Sequence, residues 1–314
     1  LDDKKTFELL RQAETTAVFQ LESEGMKRYL RELKPTELED IIAMVALYRP
    51  GPMELIPDFI AGKHGKKQIE YLHPKLEPIL KKTYGIAVYQ EQGLQIVRDI
   101  AGFTLGEADV LRKAIGKKIK ELLQKQHEKF IEGAIKNGLH KATAERIFQF
   151  IEPFANYGFN RSHATCYATI GYQTAYLKAN WPCEFMTALL RSERKDIERI
   201  AFLIDECKRM KIEILPPDIN ESMAKFTVVG KAIRFGLAAV KNVGTQAINS
   251  IAEIRIKEGA FSSFYDFCES VDLRVVNRKV LESLIKCGAF DSLGGKRSQL
   301  MAILDRAIEL AQLS

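Results

Sequence analysis

The residues best placed to do chemistry lie in the stretch YGFNRSHATCYA, residues 157–168. It gathers Asn160, Arg161, Ser162, His163 and Cys166 between Tyr157 and Tyr167. Three chemistries fit those side chains: nucleophilic hydrolysis, the grip of an anion or base edge, and the capping of a helix start. A Ser-His or Cys-His hydrolase needs a base aimed at the nucleophile, an orienting carboxylate and an oxyanion hole. Ser162 and His163 are consecutive, so on a helix they project about 100° apart and do not face each other. Cys166 lies one turn further on and acquires no partner from the spacing. A helix N-terminus bearing Asn160, Arg161, Ser162 and His163 suits an anion or a base edge instead, because its first amides are unpaired and its dipole end is positive. Capping by Ser162 is compatible with that role.

A second concentration of chemistry is the segment RKAIGKKIKELLQKQHEK, residues 112–129, with seven Lys/Arg against two Glu. Charge alone allows two readings, a solvated helix face or an electrostatic footprint for phosphates. Elsewhere the chain is unexceptional. Its 314 residues suffice for two domains, with 46% hydrophobic residues, 28% charged residues and a net charge of +6. Cysteines at 166, 183, 207, 268 and 287 form no CxxC pair, and His64, His73, His127 and His140 are scattered. Neither a disulfide framework nor a zinc site is expected, and a reduced cytoplasmic protein is. No 18-residue apolar run occurs, so no membrane-spanning helix is expected. The start, LDDKKTFELL, has no Met and no signal layout, which suggests a piece of something longer.

The elements that must position these residues are mostly helices. The spacing of Ile41, Ile42, Val45 and Tyr48 predicts a helix over 37–48 that stops at Arg49-Pro50-Gly51-Pro52. Leu94, Val97 and Ile100 predict another over 90–102, with Gly102 as C-cap. Val110, Leu111 and Ala114 share the apolar side of a third, beginning at 105–106. Thr143 is expected to cap a helix over 143–154, and Ser162 one that runs to about Asn180 with Tyr167, Ile170, Thr174 and Leu177 as its stripe. Short strands are expected at 86–89 and, around a Gly230-Lys231 turn, within 225–236. The fold class is therefore mainly α with minor β. The diproline connection over 212–222 reads as a boundary, giving domains 1–222 and 223–314.

Residues 236–254, GLAAVKNVGTQAINSIAEI, have the layout of a helix-hairpin-helix. One half carries Leu237 and Val240, the hairpin is Asn242-Val243-Gly244, and the second half carries Ala247, Ile248 and Ile251. Asn242 stands where such hairpins usually have Gly, and Asn tolerates positive φ best among other residues. Lys241, Gly244 and Thr245 would offer phosphate donors at a helix N-terminus, and a purely packing αα-hairpin is the alternative. A weaker second copy lies at 280–294, with only Gly288 of the hairpin signature, and reads as packing.

Taken together, these strings resemble a known family. AVFQLES (17–23), LYRPGPM (47–53), YGIAVYQEQ (84–92), LRKAIGKK (111–118), FANYGFNRSHA (154–164), YQTAYLKANWPCEFM (172–186) and LPPDIN (215–220) occur in order. RFGLAAVKNVG (234–244) and LESLIKCGAFDSLG (281–294) follow. They resemble the bacterial replicative DNA polymerase III alpha subunits over essentially the whole chain. The resemblance implies a multi-helix fingers domain followed by a small helix-hairpin-helix module. It implies that Arg112 and Lys113 approach the triphosphate of an incoming dNTP, although the family usually has Arg at both positions. Asn160, Arg161, Ser162 and His163 would lie near the nascent base pair, and Lys117 and Lys118 would touch template or primer backbone.

Lys241, Gly244 and Thr245 would hold duplex phosphates without reading sequence. The family's catalytic aspartates lie in a palm domain that this chain does not resemble. The expectation is therefore no catalytic or metal-binding residue here, Mg²⁺ ligands outside this chain, and no activity for the chain alone. Expected partners are primer–template DNA, dNTP and, through the intact protein, the sliding clamp and other replisome subunits, with no membrane. The rival is a non-catalytic helix-hairpin-helix DNA-binding or scaffold module.

Overall fold

The computed structural model describes residues 1–117, 119–154 and 157–313. The chain divides into two compact units, Leu1–Asn180 and Trp181–Ser314. In the first, the helices are α1 (Lys4–Arg11), α2 (Glu24–Leu33), α3 (Leu38–Leu47), α4 (Ile56–Lys63), α5 (Glu77–Leu80), α6 (Gln90–Ala101), α7 (Leu105–Gly116), α8 (Lys120–Lys136), α9 (Lys141–Phe154) and α10 (Arg161–Asn180). Local chemistry sets several of their starts. The Asp3 carboxylate accepts the Thr6 amide at 2.9 Å, and Thr104 and Glu107 close a reciprocal capping box on α7. At the other end of α6, Gly102 takes φ 71°, the left-handed C-cap that the sequence predicts.

Two apolar cores hold this unit. Leu10, Leu30, Leu33, Ile41, Met44 and Phe59 bury against Ala164, Ala168 and Ala175 of α10. The small residues on α10 let α1 and α3 approach closely. A second core joins α6 to α9 through Ile96, Ile100, Leu111, Phe130, Ile147 and Ile151. Phe130 is fully buried, and burial of such a side chain contributes roughly 1.5–3 kcal/mol relative to exposure.

The second unit contains α11 (Pro182–Ser192), α12 (Ile197–Arg209), β1 (Glu213–Leu215), β2 (Thr227–Val229), β3 (Ala232–Arg234), α13 (Thr245–Glu258), α14 (Phe264–Ser270), α15 (Arg278–Lys286) and α16 (Arg297–Ala311). The sheet order is β1-β3-β2. The expected hairpin forms, with Val228 opposite Ile233 and Gly230 at φ 61° in the turn. β1 was not expected, and it pairs parallel with β3, Ile214 opposite Ile233. Helices α11 and α12 share a core with this sheet through Met186, Leu190, Leu203, Phe226 and Ile233. A second core joins α13 to α16.

Several boundaries differ from the sequence expectations. The units divide at Asn180/Trp181 and not near 222, because β1 precedes the diproline while its partner β3 follows it. Ile219, just past the prolines, is itself fully buried. Residues 86–89 form no strand but one isolated bridge, Tyr89 to Phe159. Helix α9 begins two residues before Thr143, with the His140 carbonyl accepting the Ala144 amide at 3.0 Å. The first half of the hairpin motif is only a 3-10 turn, Leu237–Ala239. Finally, Ile170 and Leu177 of α10 are 43% and 48% exposed, so the expected stripe faces out. The buried face of α10 is instead Ala164, Ala168, Gly171, Tyr172, Ala175 and Lys178.

Candidate nucleotide and nucleic-acid interface

The turn before α10 is pinned to the start of α6. The Phe159 amide donates to the Val88 carbonyl at 3.0 Å, and the Gln90 amide donates to the Phe159 carbonyl at 2.9 Å. Asn160, not Ser162, then caps α10: its Oδ1 accepts the His163 amide at 2.8 Å and the Ser162 hydroxyl at 2.6 Å. Glu91 completes the end. Both of its carboxylate oxygens lie 3.0 Å from the Arg161 amide. The Arg161 guanidinium donates to Glu39 Oε1 at 2.6 Å and lies 5.7 Å from the Tyr89 ring centre. That bond to Glu39 raises the Arg161 pKa above its ordinary value. Glu91, Glu39, Arg161, Ser162, Cys166 and Lys82 line an open cleft of about 690 Å³ beside the helix start.

The expected anion position is therefore already filled by a side chain. A helix terminus favours a carboxylate as well as a phosphate. An incoming phosphate at these amides has to displace Glu91 or bind beside it. Arg49 is engaged on backbone carbonyls. Its Nε donates to the Ala46 carbonyl at 2.9 Å and a terminal nitrogen to that of Tyr157, with the guanidinium 4.6 Å above Phe159.

On α7, Asp109 gathers the two candidate cations. Arg112 donates to Asp109 Oδ1 at 2.9 and 2.7 Å, and Lys113 Nζ lies 2.7 Å from Oδ2. Lys113 first and Arg112 second hold the Asp109 carboxyl below the usual range. Arg112 also lines a small apolar cavity with Gln90, Phe154 and Gly158, which places it next to the turn that leads into Asn160. Arg112 and Gly158, 46 residues apart in sequence, thus line one cavity. Lys117 is exposed at the end of α7, and Lys118 lies outside the described residues.

In the second unit Asn242 has φ 69°, the left-handed conformation its sequence position requires. Val243 is buried beneath it, and the Asn242 amide group donates to Ser283 Oγ of α15 at 3.1 Å. Gly244 is the N-cap of α13 with no side-chain cap bond and an ordinary φ of −80°. A Cβ at Gly244 would meet nothing within 4 Å. Gly244, Thr245 and Gln246 are exposed at the start of α13, with Thr245 at the first helical position and exposed Lys241 just before the hairpin. Lys241 and Asn242 line a groove of about 630 Å³ with Lys279, Ser283 and Lys286.

The sequence missed the acidic partners. Asp109 was detectable, since it stands three and four residues before the two cations it binds. Glu91 and Glu39 were not, because they reach Arg161 across 70 and 122 residues of chain. Tyr89 and Tyr172 are only 3% and 4% exposed, so neither offers a ring face to a base.

Comparison with known proteins places this geometry. Residues 1–138 match the model of the bacterial DNA polymerase III alpha subunit finger domain, and residues 211–300 match a helix-hairpin-helix motif model. The chain is 51% identical over 316 residues to a DNA polymerase III subunit alpha of Thermus aquaticus, covering 99% of this chain and 26% of that protein. Against the Escherichia coli K12 protein of the same name it is 48% identical, covering 99% of this chain and 28% of the relative. For Pseudomonas aeruginosa the values are 47%, 100% and 28%. The chain thus spans little more than a quarter of the length of these curated relatives. It belongs to the family of bacterial DNA polymerase III alpha subunits, of which it carries a finger domain and a helix-hairpin-helix region.

Proposed function

We propose that this chain supplies the nucleotide-gripping and DNA-gripping surfaces of a replicative DNA polymerase. The observation that carries the reading is the convergence, in one unit, of Arg112 with Gly158 in the turn that leads into Asn160–His163. Phosphoryl transfer depends on holding the triphosphate in line and neutralising its charge. Arg112 and Lys113 exchange Asp109 for phosphate oxygens when dNTP arrives. Lys113 acts there as a point charge and Arg112 as a planar fork. Asn160, Arg161, Ser162 and His163 position the base and sugar. In the second unit Lys241, Thr245 and the amide of Gly244 hold DNA phosphates, with Lys117 and Lys118 adding backbone contacts. Such binding is independent of sequence and weakens steeply with salt.

In this reading the intact subunit extends a primer with dNTPs in the cytoplasm, alongside the sliding clamp and other replisome subunits. Mg²⁺ would supply charge neutralisation and an activated 3′ oxygen. Among the described residues no group of three His, Cys, Asp or Glu side chains could hold a metal ion. The chain alone is proposed to be inactive, because the family's catalytic aspartates lie in a palm domain that this chain does not resemble. No helix among the described residues is long and apolar enough to cross a membrane.

Arg112→Ala in the intact polymerase tests the reading, with an expected rise in KM for dNTP and a fall in kcat. Unchanged dNTP kinetics would instead favour a scaffold whose active feature is the hairpin.

A further inference from the structure

Among the described residues Arg112 and Lys113 have one anionic partner, and it is the same one. Asp109 Oδ1 accepts two bonds from the Arg112 guanidinium, at 2.9 and 2.7 Å, and Oδ2 lies 2.7 Å from Lys113 Nζ. One negative charge therefore serves two positive ones, and the cluster keeps an excess of one cation. The other carboxylate of α7, Glu107, is engaged elsewhere, by Lys129 and the Thr104 amide.

Helix stability is a weak reason for an aspartate here. Asp109 is the fifth residue of α7, past the first turn in which a carboxylate caps amides or meets the helix dipole. Thr104 and Glu107 already close that helix start. Aspartate is also a poor helix former in an interior, which offsets the little that pairs three and four residues apart add. Nor is the cluster buried. The side chains of Asp109, Arg112 and Lys113 are 37%, 35% and 57% exposed. Ion pairs so placed contribute little to stability, and solvent and ligands reach all three groups.

What the carboxylate does is hold the place of a phosphate. Its two oxygens offer the guanidinium fork and the ammonium the kind of acceptors that a phosphoryl group offers. Lys113 first and Arg112 second keep the Asp109 carboxyl below the usual range, so it stays charged at neutral pH. A phosphate that takes these cations must break all three contacts. Asp109 then remains one helical turn away on the same face, and a like charge about 4 Å off weakens binding about fivefold in water. The opposition is the same for an arriving triphosphate and a departing pyrophosphate. Arg112 lines a cavity with Gly158, so the exchange takes place beside the turn into Asn160.

We propose that Asp109 is a built-in counter-ion that competes with substrate phosphates for Arg112 and Lys113, loosening the grip so that pyrophosphate can leave. The proposal rests on reading those two cations as the triphosphate grip. Steady-state primer extension by the intact polymerase tests it, with dNTP varied and inorganic pyrophosphate as the added inhibitor. Asp109→Asn should lower both the KM for dNTP and the inhibition constant for pyrophosphate, each about three- to tenfold. Asp109→Glu keeps the charge on the same face and should leave both constants close to those of the unaltered enzyme. A carboxylate that merely orients the cations gives the opposite sign, a raised KM in Asp109→Asn. That result, or either constant unchanged in Asp109→Asn, would overturn the proposal. So would an equal fall in Asp109→Glu, which would assign the effect to side-chain shape and not to charge. Arg112→Ala separates the two readings. If it raises KM while Asp109→Asn lowers neither constant, the counter-ion fails and the grip stands; if it leaves KM unchanged, the grip itself fails.

Discussion

Helices α10 and α13 both begin where the sequence expects an anion to bind, yet the two ends are built in opposite ways. On α10 the side chain of Asn160 takes one amide and the Glu91 carboxylate takes another. On α13 the cap is a glycine with no side-chain bond and open space in front of it. A helix terminus with an internal carboxylate is satisfied in the free protein, and a phosphate there has to displace that carboxylate or bind beside it. An uncapped terminus remains available, at some cost in helix stability. In the proposed reading the open end suits a DNA backbone that passes freely through the site. The occupied end suits a nucleotide that must be admitted and released in each cycle.

Filling the open end should have the largest effect. Gly244→Asp adds a capping carboxylate at a position whose φ and surroundings accept it. Affinity for primer–template DNA, read by anisotropy, should fall about tenfold or more as the site turns acidic. Thermal stability should hold or rise slightly. Opposite movement of binding and stability is the signature of a terminus kept open for a ligand, and unchanged DNA affinity would end the comparison. Removing the cap of the occupied end comes next. Asn160→Ala should cost about 1 kcal/mol in denaturant unfolding, whereas Ser162→Ala should cost less, since Ser162 only donates to Asn160.

Glu91→Gln should produce a smaller change. With the competing charge gone, anions should bind the α10 end roughly two- to fivefold more tightly, a difference measurable by calorimetry with dNTP. Weaker binding would mean that Glu91 orients the turn and does not compete for it. The smallest effect concerns α7, whose first turn also holds an internal carboxylate. The bond from Lys129, then those from Thr104, lower the Glu107 pKa from 4.5 to about 2. A lowered folded-state pKa stabilises above the unfolded value and loses that contribution as pH falls through the folded one. The stability gap between the protein and Glu107→Gln should thus be full above pH 4.5 and close toward pH 2.

Local physics was legible in the chain. Apolar spacing placed α3 and α6, Gly102 marked a C-cap, and the alternation around Gly230 gave the β2–β3 hairpin. Asn242 advertised its left-handed turn. Those features follow from dihedral preferences and near neighbours, which sequence order preserves. Errors arose wherever a distant partner decided the outcome. The stripe on α10 is apolar by composition but faces outward, because α1 and α3 need a face of small residues for close approach. Strand β1 forms only because β3 offers it an edge.

The candidate site divides along the same line. Residue types and local spacing alone marked Arg112, Lys113, the 160–163 turn and the 241–245 hairpin as charged or capping positions. Only tertiary structure decided that Glu91 occupies one helix terminus, whereas the pairing of Asp109 with both cations follows from spacing along one helix. The reason is physical: charge and propensity belong to a residue, whereas the occupancy of a hydrogen-bond donor depends on which distant acceptor folding brings within 3 Å.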